Sequence, residues 1–237
     1  LQRVVIGDIN GDGKPDLLTA NNNGNNVSIL RNTTTGPGIM TFASPYNFAA
    51  GGASNGLAVG DFNGDGWLDL AVANIGANQV FILRNTAQTG IINASSFGPA
   101  VTVASTSPGT VVVGDVDGDG KPDLVSITYV ANTTPTVVSV YKNTTSSSTT
   151  ISFTGETNYP TNTSGANFNF YSSVNLADLN GDGMLDIVTT NRPNSTISIF
   201  RNTIITPPIF ITDFSPKQGT LSPTTTITIT GSGFNTT

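Results

Sequence analysis

Hydrophobic positions along this chain fall into short β-branched runs cut by Asn- and Gly-rich turns, and the same order of runs comes round four times. A first run reads VVIG (4–7), LAVG (57–60), VVVG (111–114) and, more weakly, VNLA (174–177). A nine-residue polar loop follows, then a second run, DLLTA, DLAVA, DLVSI or DIVTT. After a turn of Asn, Gly or Pro comes a third: VSILRNT (27–33), VFILRNT (80–86), VSVYKNT (138–144) or ISIFRNT (197–203). A fourth, less regular segment carries Phe42, Phe97 or Phe153. Runs of about five residues bounded by turn residues predict strands. No segment sustains a helical period. The runs flanking each loop are nearly continuous rather than alternating, as expected of strands covered on both faces.

The spacing makes these runs a true repeat. The first Asp of each loop stands at 8, 61, 115 and 178, giving steps of 53, 54 and 63 residues. The basic residue of the third run follows it by 23 positions in repeats one, two and four (Arg31, Arg84, Arg201). Lys142 follows by 27, which places a four-residue insertion near 129–136. Four strands in a unit of this size is a propeller blade. The predicted fold class is therefore all-β, with β-propeller blades stacked so that each covers its neighbours' faces.

Charge sharpens the picture at the loops. They read DINGDGKPD (8–16), DFNGDGWLD (61–69), DVDGDGKPD (115–123) and DLNGDGMLD (178–186), and they hold 13 of the 15 acidic residues. Carboxylates this close repel one another unless a cation sits between them. Calcium takes six to eight oxygen ligands, and positions 1, 3, 5 and 9 supply side-chain oxygens while position 7 offers its backbone carbonyl. The candidate ligands are Asp8, Asn10, Asp12, Lys14 (backbone) and Asp16 in the first loop, and Asp61, Asn63, Asp65, Trp67 (backbone) and Asp69 in the second. The third loop offers Asp115, Asp117, Asp119, Lys121 (backbone) and Asp123, the fourth Asp178, Asn180, Asp182, Met184 (backbone) and Asp186. The position-7 side chains share no chemistry, which is what a backbone-only ligand predicts. Magnesium, which demands tighter octahedral geometry, is the second choice, and manganese stays open. The bland alternative is a set of Asn-Gly hairpin turns with no ion. Helical calcium loops open the same way but carry Glu at position 12 and lead into a helix; here the ninth residue leads straight into a strand.

These residues resemble the FG-GAP/VCBS repeats of integrin-α-like β-propellers, over about residues 1–203. The resemblance implies a ring of typically seven blades, with calcium in the hairpin loop between the first two strands of a blade. After the Pro207-Pro208 pair, expected as a linker over 204–208, residues 209–237 contain FSP, TLSP and TITITGSGF and resemble the opening of an IPT/TIG immunoglobulin-like domain. The chain begins in mid-pattern with no visible signal peptide, and the expectation is that it is a fragment or processed product.

Composition narrows function further. The net charge is −6, and four divalent ions would bring it to −6 + 8 = +2, so the acidity is a set of local sites. With no Cys and no His, thiolate chemistry, Ser-His-Asp catalysis and zinc sites built on sulfur or imidazole are excluded. The nine basic residues form no patch able to track phosphates, so nucleic acid is not an expected partner. The apolar runs are far too short for a membrane span. Outside the loops the only carboxylates are Glu156 and Asp213, so no acid/base pair is evident and the protein is not expected to be an enzyme.

Extracellular calcium modules bind with constants of about 10⁻⁴–10⁻³ M. At a tenfold excess each site contributes about 1.4 kcal/mol, and four contribute on the order of 6 kcal/mol. An extracellular, secreted or cell-surface address with structural calcium follows, with adhesion or surface scaffolding as the expected work. The alternatives are a lectin-like carbohydrate-binding propeller and a structural subunit of an extracellular fibre. Expected partners are an extracellular protein or glycan, with self-association as a further option. Arg31, Arg84, Lys142 and Arg201 form either a ring of ligand contacts or strand-end cations facing the loops or solvent. Trp67, Tyr46, Tyr129, Tyr141, Tyr159 and Tyr171 either stack on sugars or pack the blades. Eight Asn-x-Ser/Thr triplets, at Asn26, Asn32, Asn93, Asn132, Asn143, Asn162, Asn194 and Asn235, are candidate glycan sites if the source has the machinery.

Overall fold

The computed structural model describes residues 3–52, 54–128, 137–161, 173–191, 196–204, 210–215 and 228–232. The expected insertion near 129–136, the Pro207-Pro208 pair, Tyr129, Tyr171 and the triplets at Asn132, Asn162, Asn194 and Asn235 lie outside these residues.

Every repeat folds as an antiparallel meander, as its three β-branched runs dictate. In the first, β1 (Val4–Gly7), β2 (Asp16–Asn21), β3 (Asn26–Leu30) and β4 (Tyr46–Ala49) pair in sequence order. The second comprises β5 (Ser54–Gly60), β6 (Asp69–Asn74), β7 (Gln79–Leu83) and β8 (Val101–Ala104). The third comprises β9 (Pro108–Gly114), β10 (Asp123–Thr128), β11 (Val137–Tyr141) and β12 (Thr157–Pro160). The fourth contains β13 (Val174–Ala177), β14 (Asp186–Asn191) and β15 (Thr196–Phe200) among the described residues. The protein is all-β, built of propeller-type blades. The chain divides into two compact units, Leu1–Asn202 and Thr203–Thr237. In the second, β16 (Phe210–Ser215) and β17 (Thr228–Ser232) form an antiparallel pair.

The fourth segment differs in detail from its sequence reading. Phe42, Phe97 and Phe153 precede the fourth strand and make isolated bridges to Asn32, Asn85 and Asn143. The strand proper comes later and is short, as edge strands commonly are.

Blades stack face to face. Val5, Leu18 and Ile29 of the first blade stand on one side of its sheet and join Leu57, Leu70 and Val72 of the second in one core. The second and third blades share a core around Ala71, Val80, Ile82, Val111 and Leu124. The third and fourth meet through Val125, Val138, Val174 and Ile187. Full burial of each such aliphatic side chain stabilises by roughly 1.5–3 kcal/mol. Strands β6 and β10, sandwiched on both sides, are buried along their whole length, which is why their sequences do not alternate. The residue that ends the first strand of a blade is a contact point. A Cβ on Gly7 would come within 2.9 Å of Leu68, one on Gly60 within 2.8 Å of Val113, and one on Gly114 within 2.7 Å of Leu185. In the fourth blade this position is Ala177, and it is exposed.

Candidate metal centres

The acidic loop joins the first two strands of each blade, starting after the Gly or Ala and ending on the Asp that opens the next strand. Its tightness depends on glycines at positions 4 and 6, which adopt left-handed backbone (Gly11 at φ 63°, Gly13 at 81°) that residues with a Cβ rarely take. The first aspartate collects N–H groups of that turn. Asp8 accepts from Asp12 N (3.2 Å) and Gly13 N (2.8 Å). Asp61, Asp115 and Asp178 likewise accept from Gly66, Gly120 and Gly183 at 2.8, 2.8 and 2.9 Å. The fifth-position carboxylate accepts from the position-7 N–H: Lys14 to Asp12, Trp67 to Asp65, Lys121 to Asp119 and Met184 to Asp182, at 2.9–3.0 Å.

The ninth aspartate is the least exposed of the set and does something different. One oxygen of Asp16 accepts from Ile9 N within the loop, and the other accepts from Asn32 N at the end of β3. Asp69 binds Phe62 N and Asn85 N in the same way. Asp123 binds Val116 N and Asn143 N, and Asp186 binds Leu179 N and Asn202 N. In all four blades this carboxylate fastens the loop to the third strand.

Burial pushes Asp69 up to about 7, against the pull of its two backbone hydrogen bonds, with Asp65 and Asp61 adding repulsion. Burial likewise brings Asp123 to about 6, with Asp117 and Asp119 adding repulsion. Asp16 is also raised, first by burial and then by Asp12 and Asp8. Asp178 is lowered, chiefly by the hydrogen bond from Gly183 N. Buried, mutually repelling carboxylates are a donor set that a bound cation relieves.

In the third loop three acidic residues converge. Asp115, Asp117 and Asp123 each place a carboxylate oxygen so that all three lie within 4.8 Å of one another. Two oxygens on one calcium at about 2.4 Å can be no farther apart than about 4.8 Å, so this set fits a calcium-class cation. Among the described residues no second trio of acidic residues is gathered in this way. Position 3 is acidic only in this loop; the other loops have Asn10, Asn63 and Asn180, whose amide oxygens would serve in place of a carboxylate. Each of these donates its amide to the fifth-position carboxylate, at 3.2, 2.9 and 2.8 Å. The carboxylate that only this loop carries at position 3 has its own compensation: Lys142 Nζ lies 3.1 Å from Asp117.

The other recurrent residues have partners within the blades. Arg31 donates to Gly90 O at 3.0 Å and Arg84 to Asn85 O at 3.4 Å. Trp67 packs over Gly11 of the preceding loop, where a Cβ would come within 2.6 Å of its ring. Tyr141 is buried, with its hydroxyl donating to Ser105 Oγ. Tyr46 packs on Phe48 and Tyr159 on Phe200. Among the candidate glycan sites, Asn143 is buried and its amide is engaged, so the folded blade offers it to no enzyme.

Two features were not read from the sequence. The Asn of the RNT/KNT motif links blades: Asn85 donates to Ile9 O, Asn143 to Phe62 O and Asn202 to Val116 O, each a carbonyl of the preceding blade's loop. Its recurrence beside the basic residue was the available signal. Glu156 is the second. It is ringed by Thr106 N, Thr106 Oγ1, Ser139 Oγ and Tyr141 OH. Nothing in its local sequence announced that cluster.

Fold and loops together define a repeat protein of the propeller type, with the acidic hairpin as its signature. The FG-GAP-like repeat matches residues 8–72 and 61–126, which together span half of the chain, and the chain belongs to that family. Among solved structures it is similar to a chain of a Tc holotoxin pore from Photorhabdus luminescens, at 19% identity and a TM-score of 0.47. That likeness covers 86% of this chain and 9% of the other. No curated protein matches. No helix among the described residues is long and apolar enough to cross a membrane.

Proposed function

We propose that this protein is a calcium-stabilised FG-GAP propeller module working as an extracellular adhesion or surface scaffold, with the metal structural in all four loops. The observation that carries the reading is the trio Asp115, Asp117 and Asp123, whose oxygens converge at calcium-ligand spacing. When bound, calcium supplies charge neutralisation and a fixed turn. The ligand sets are the five oxygens of each loop named from the sequence, with the position-7 residue contributing only its carbonyl. The ninth aspartate then couples the ion to the blade, because the same carboxylate holds Asn32, Asn85, Asn143 or Asn202. Millimolar extracellular calcium suits weak sites of this kind.

The reading assigns the protein no catalysis. Glu156, the one carboxylate of the blades outside the loops, is surrounded by hydrogen-bond donors. The IPT/TIG-like reading of residues 209–237 is part of the same proposal and rests on the sequence resemblance; in that unit β16 and β17 form an antiparallel pair. A lectin-like role is the second reading. It draws on a cleft of about 550 Å³ lined by Asn78, Thr102, Thr106, Phe153 and Glu156.

Titration calorimetry of the metal-stripped protein tests the metal assignment. It should show calcium uptake at up to four sites, weaker uptake of magnesium, and loss of one site in Asp119→Ala. Absence of heat and of any spectroscopic change at millimolar calcium would end the proposal. Binding on a glycan array would favour the second reading.

A further inference from the structure

A continuous chain of hydrogen bonds runs through the ninth-position aspartates of all four loops. It starts at Asp186, which accepts from Asn202 N. The side-chain amide of Asn202 donates to Val116 O in the third loop, and Val116 N donates to Asp123. Asp123 accepts from Asn143 N, the Asn143 amide donates to Phe62 O in the second loop, and Phe62 N donates to Asp69. Asp69 accepts from Asn85 N, the Asn85 amide donates to Ile9 O in the first loop, and Ile9 N donates to Asp16. These nine bonds are all 2.7–3.1 Å long. Between the ninth-position aspartates of adjacent blades stand only an Asn just past the third strand and the second residue of the preceding loop. That second residue lies between two candidate ligands, as Ile9 lies between Asp8 and Asn10, so whatever holds it positions both.

Further contacts reach the candidate ligands themselves. The amide of Asn63, a position-3 residue, donates to Ser148 O of the third blade. Gly90 N of the second blade donates to Asn10 O of the first loop at 2.7 Å. The ring of Trp67, whose carbonyl is a candidate ligand in the second loop, lies over Gly11 of the first. The next joint lacks that last contact, since a Cβ on Gly64 would meet nothing within 4 Å.

Loop carboxylates repel one another until a cation neutralises them, so a loop tightens as it fills. An ion that fixes Asp69 also fixes Asn85, and through it the stretch of the first loop that carries Asp8 and Asn10. Part of the ordering cost of the first site is then already met when its own ion arrives. Linkage makes the effect reciprocal. We propose that the four sites fill cooperatively, each ion raising the affinity of the loops in adjacent blades, with Asn85, Asn143 and Asn202 as the positioning residues that carry the coupling. The inference rests on the metal reading above and adds that the sites form one array with nearest-neighbour coupling, the form expected of a repeat protein.

Calcium titration of the metal-stripped full chain tests this, followed by calorimetry and by the fluorescence of Trp67, the single tryptophan. The parent should fill more steeply than independent sites allow. Asp119→Asn removes a ligand of the third loop and keeps an acceptor for Lys121 N, so it should melt as the parent does in chelator. It should nonetheless move the calcium midpoint read at Trp67, in the second loop, upward by about fivefold or more. Calorimetry should show the same weakening in the sites that remain. Asn143→Ser keeps an acceptor for Thr145 N but loses the amide that reaches Phe62 O. In that background Asp119→Asn should leave the Trp67 midpoint where it is. A parent that takes up no calcium would sink the metal reading and this inference with it. Calcium uptake with a midpoint that Asp119→Asn does not move, or one that it still moves in Asn143→Ser, would overturn the coupling and leave the metal reading standing.

Discussion

The side-chain amide of Asn143, in the third blade, donates to the carbonyl of Phe62, in the loop of the second, at 2.9 Å across 81 residues of sequence. The same Asn accepts from Thr145 N and donates to Pro122 O, and its own N–H is held by Asp123. One small polar residue therefore ties a loop, a turn and two blades together.

Replacing it should be costly. Asn143→Ala leaves two carbonyls and one N–H without their partner inside the protein, and each such loss costs about 1–3 kcal/mol. Denaturant unfolding should show a loss of at least about 3 kcal/mol. Asn32→Ala, which severs no joint within the chain, should cost about 1 kcal/mol or less.

Position 9 and position 5 of a loop should separate the metal from the scaffold. Asp69→Asn replaces one acceptor of two buried N–H groups with a donor. It should lower stability by about 1–3 kcal/mol even in chelator. Asp65→Asn keeps an acceptor for the Trp67 N–H and gives up only the partly exposed bond from the Asn63 amide, which also donates to Ser148 O. It should change the melting temperature little in chelator but weaken the response to calcium. Paired melts of the two variants, with and without calcium, check this.

Much of this was legible in the chain. The three β-branched runs gave the first three strands of each blade, and the spacing of Asp8, Asp61, Asp115 and Asp178 gave the repeat. These are local signals, carried by neighbouring residues. What was hidden depends on which blade lies beside which. Asn85 reaches Ile9 across 76 residues, and Trp67 covers Gly11, so neither role exists until blades stack. The double grip of Asp16 was hidden for the same reason, since Asn32 meets it only once β2 and β3 are paired.

Lys142 should act as a built-in competitor for the third site. It lies 3.1 Å from Asp117 and is half-exposed. An exposed pair of this kind is worth up to about 1 kcal/mol. Lys142→Met should therefore tighten calcium at that loop by up to about fivefold. Calorimetry on this variant and the parent reads the difference.

Acid should weaken the joint between the second and third blades through Glu156. Burial alone would raise this carboxyl, but hydrogen bonds from Ser139, Thr106 and Tyr141 outweigh it and hold the group below its ordinary value. A depressed carboxylate contributes stability above its unfolded-state value, near pH 4.5, and loses it as pH falls through the folded one. The stability difference between the parent and Glu156→Gln should be full at neutral pH and shrink below about pH 4.5. Tyr141 works in the opposite sense. Burial and the Glu156 charge push its hydroxyl up to about 12. Its contribution is full below about pH 10 and is lost as pH rises from there toward 12. Tyr141→Phe should remove that alkaline limb in urea unfolding followed against pH.

The central claim is that captured ions hold the blades together, and thermal melting with and without calcium tests it most directly. Four weak sites supplying about 6 kcal/mol at a tenfold excess should raise the melting temperature by roughly 10–25 °C over the chelated protein. The rise should follow calcium concentration and be smaller with magnesium. Superimposable melting curves in chelator and in millimolar calcium would contradict the account.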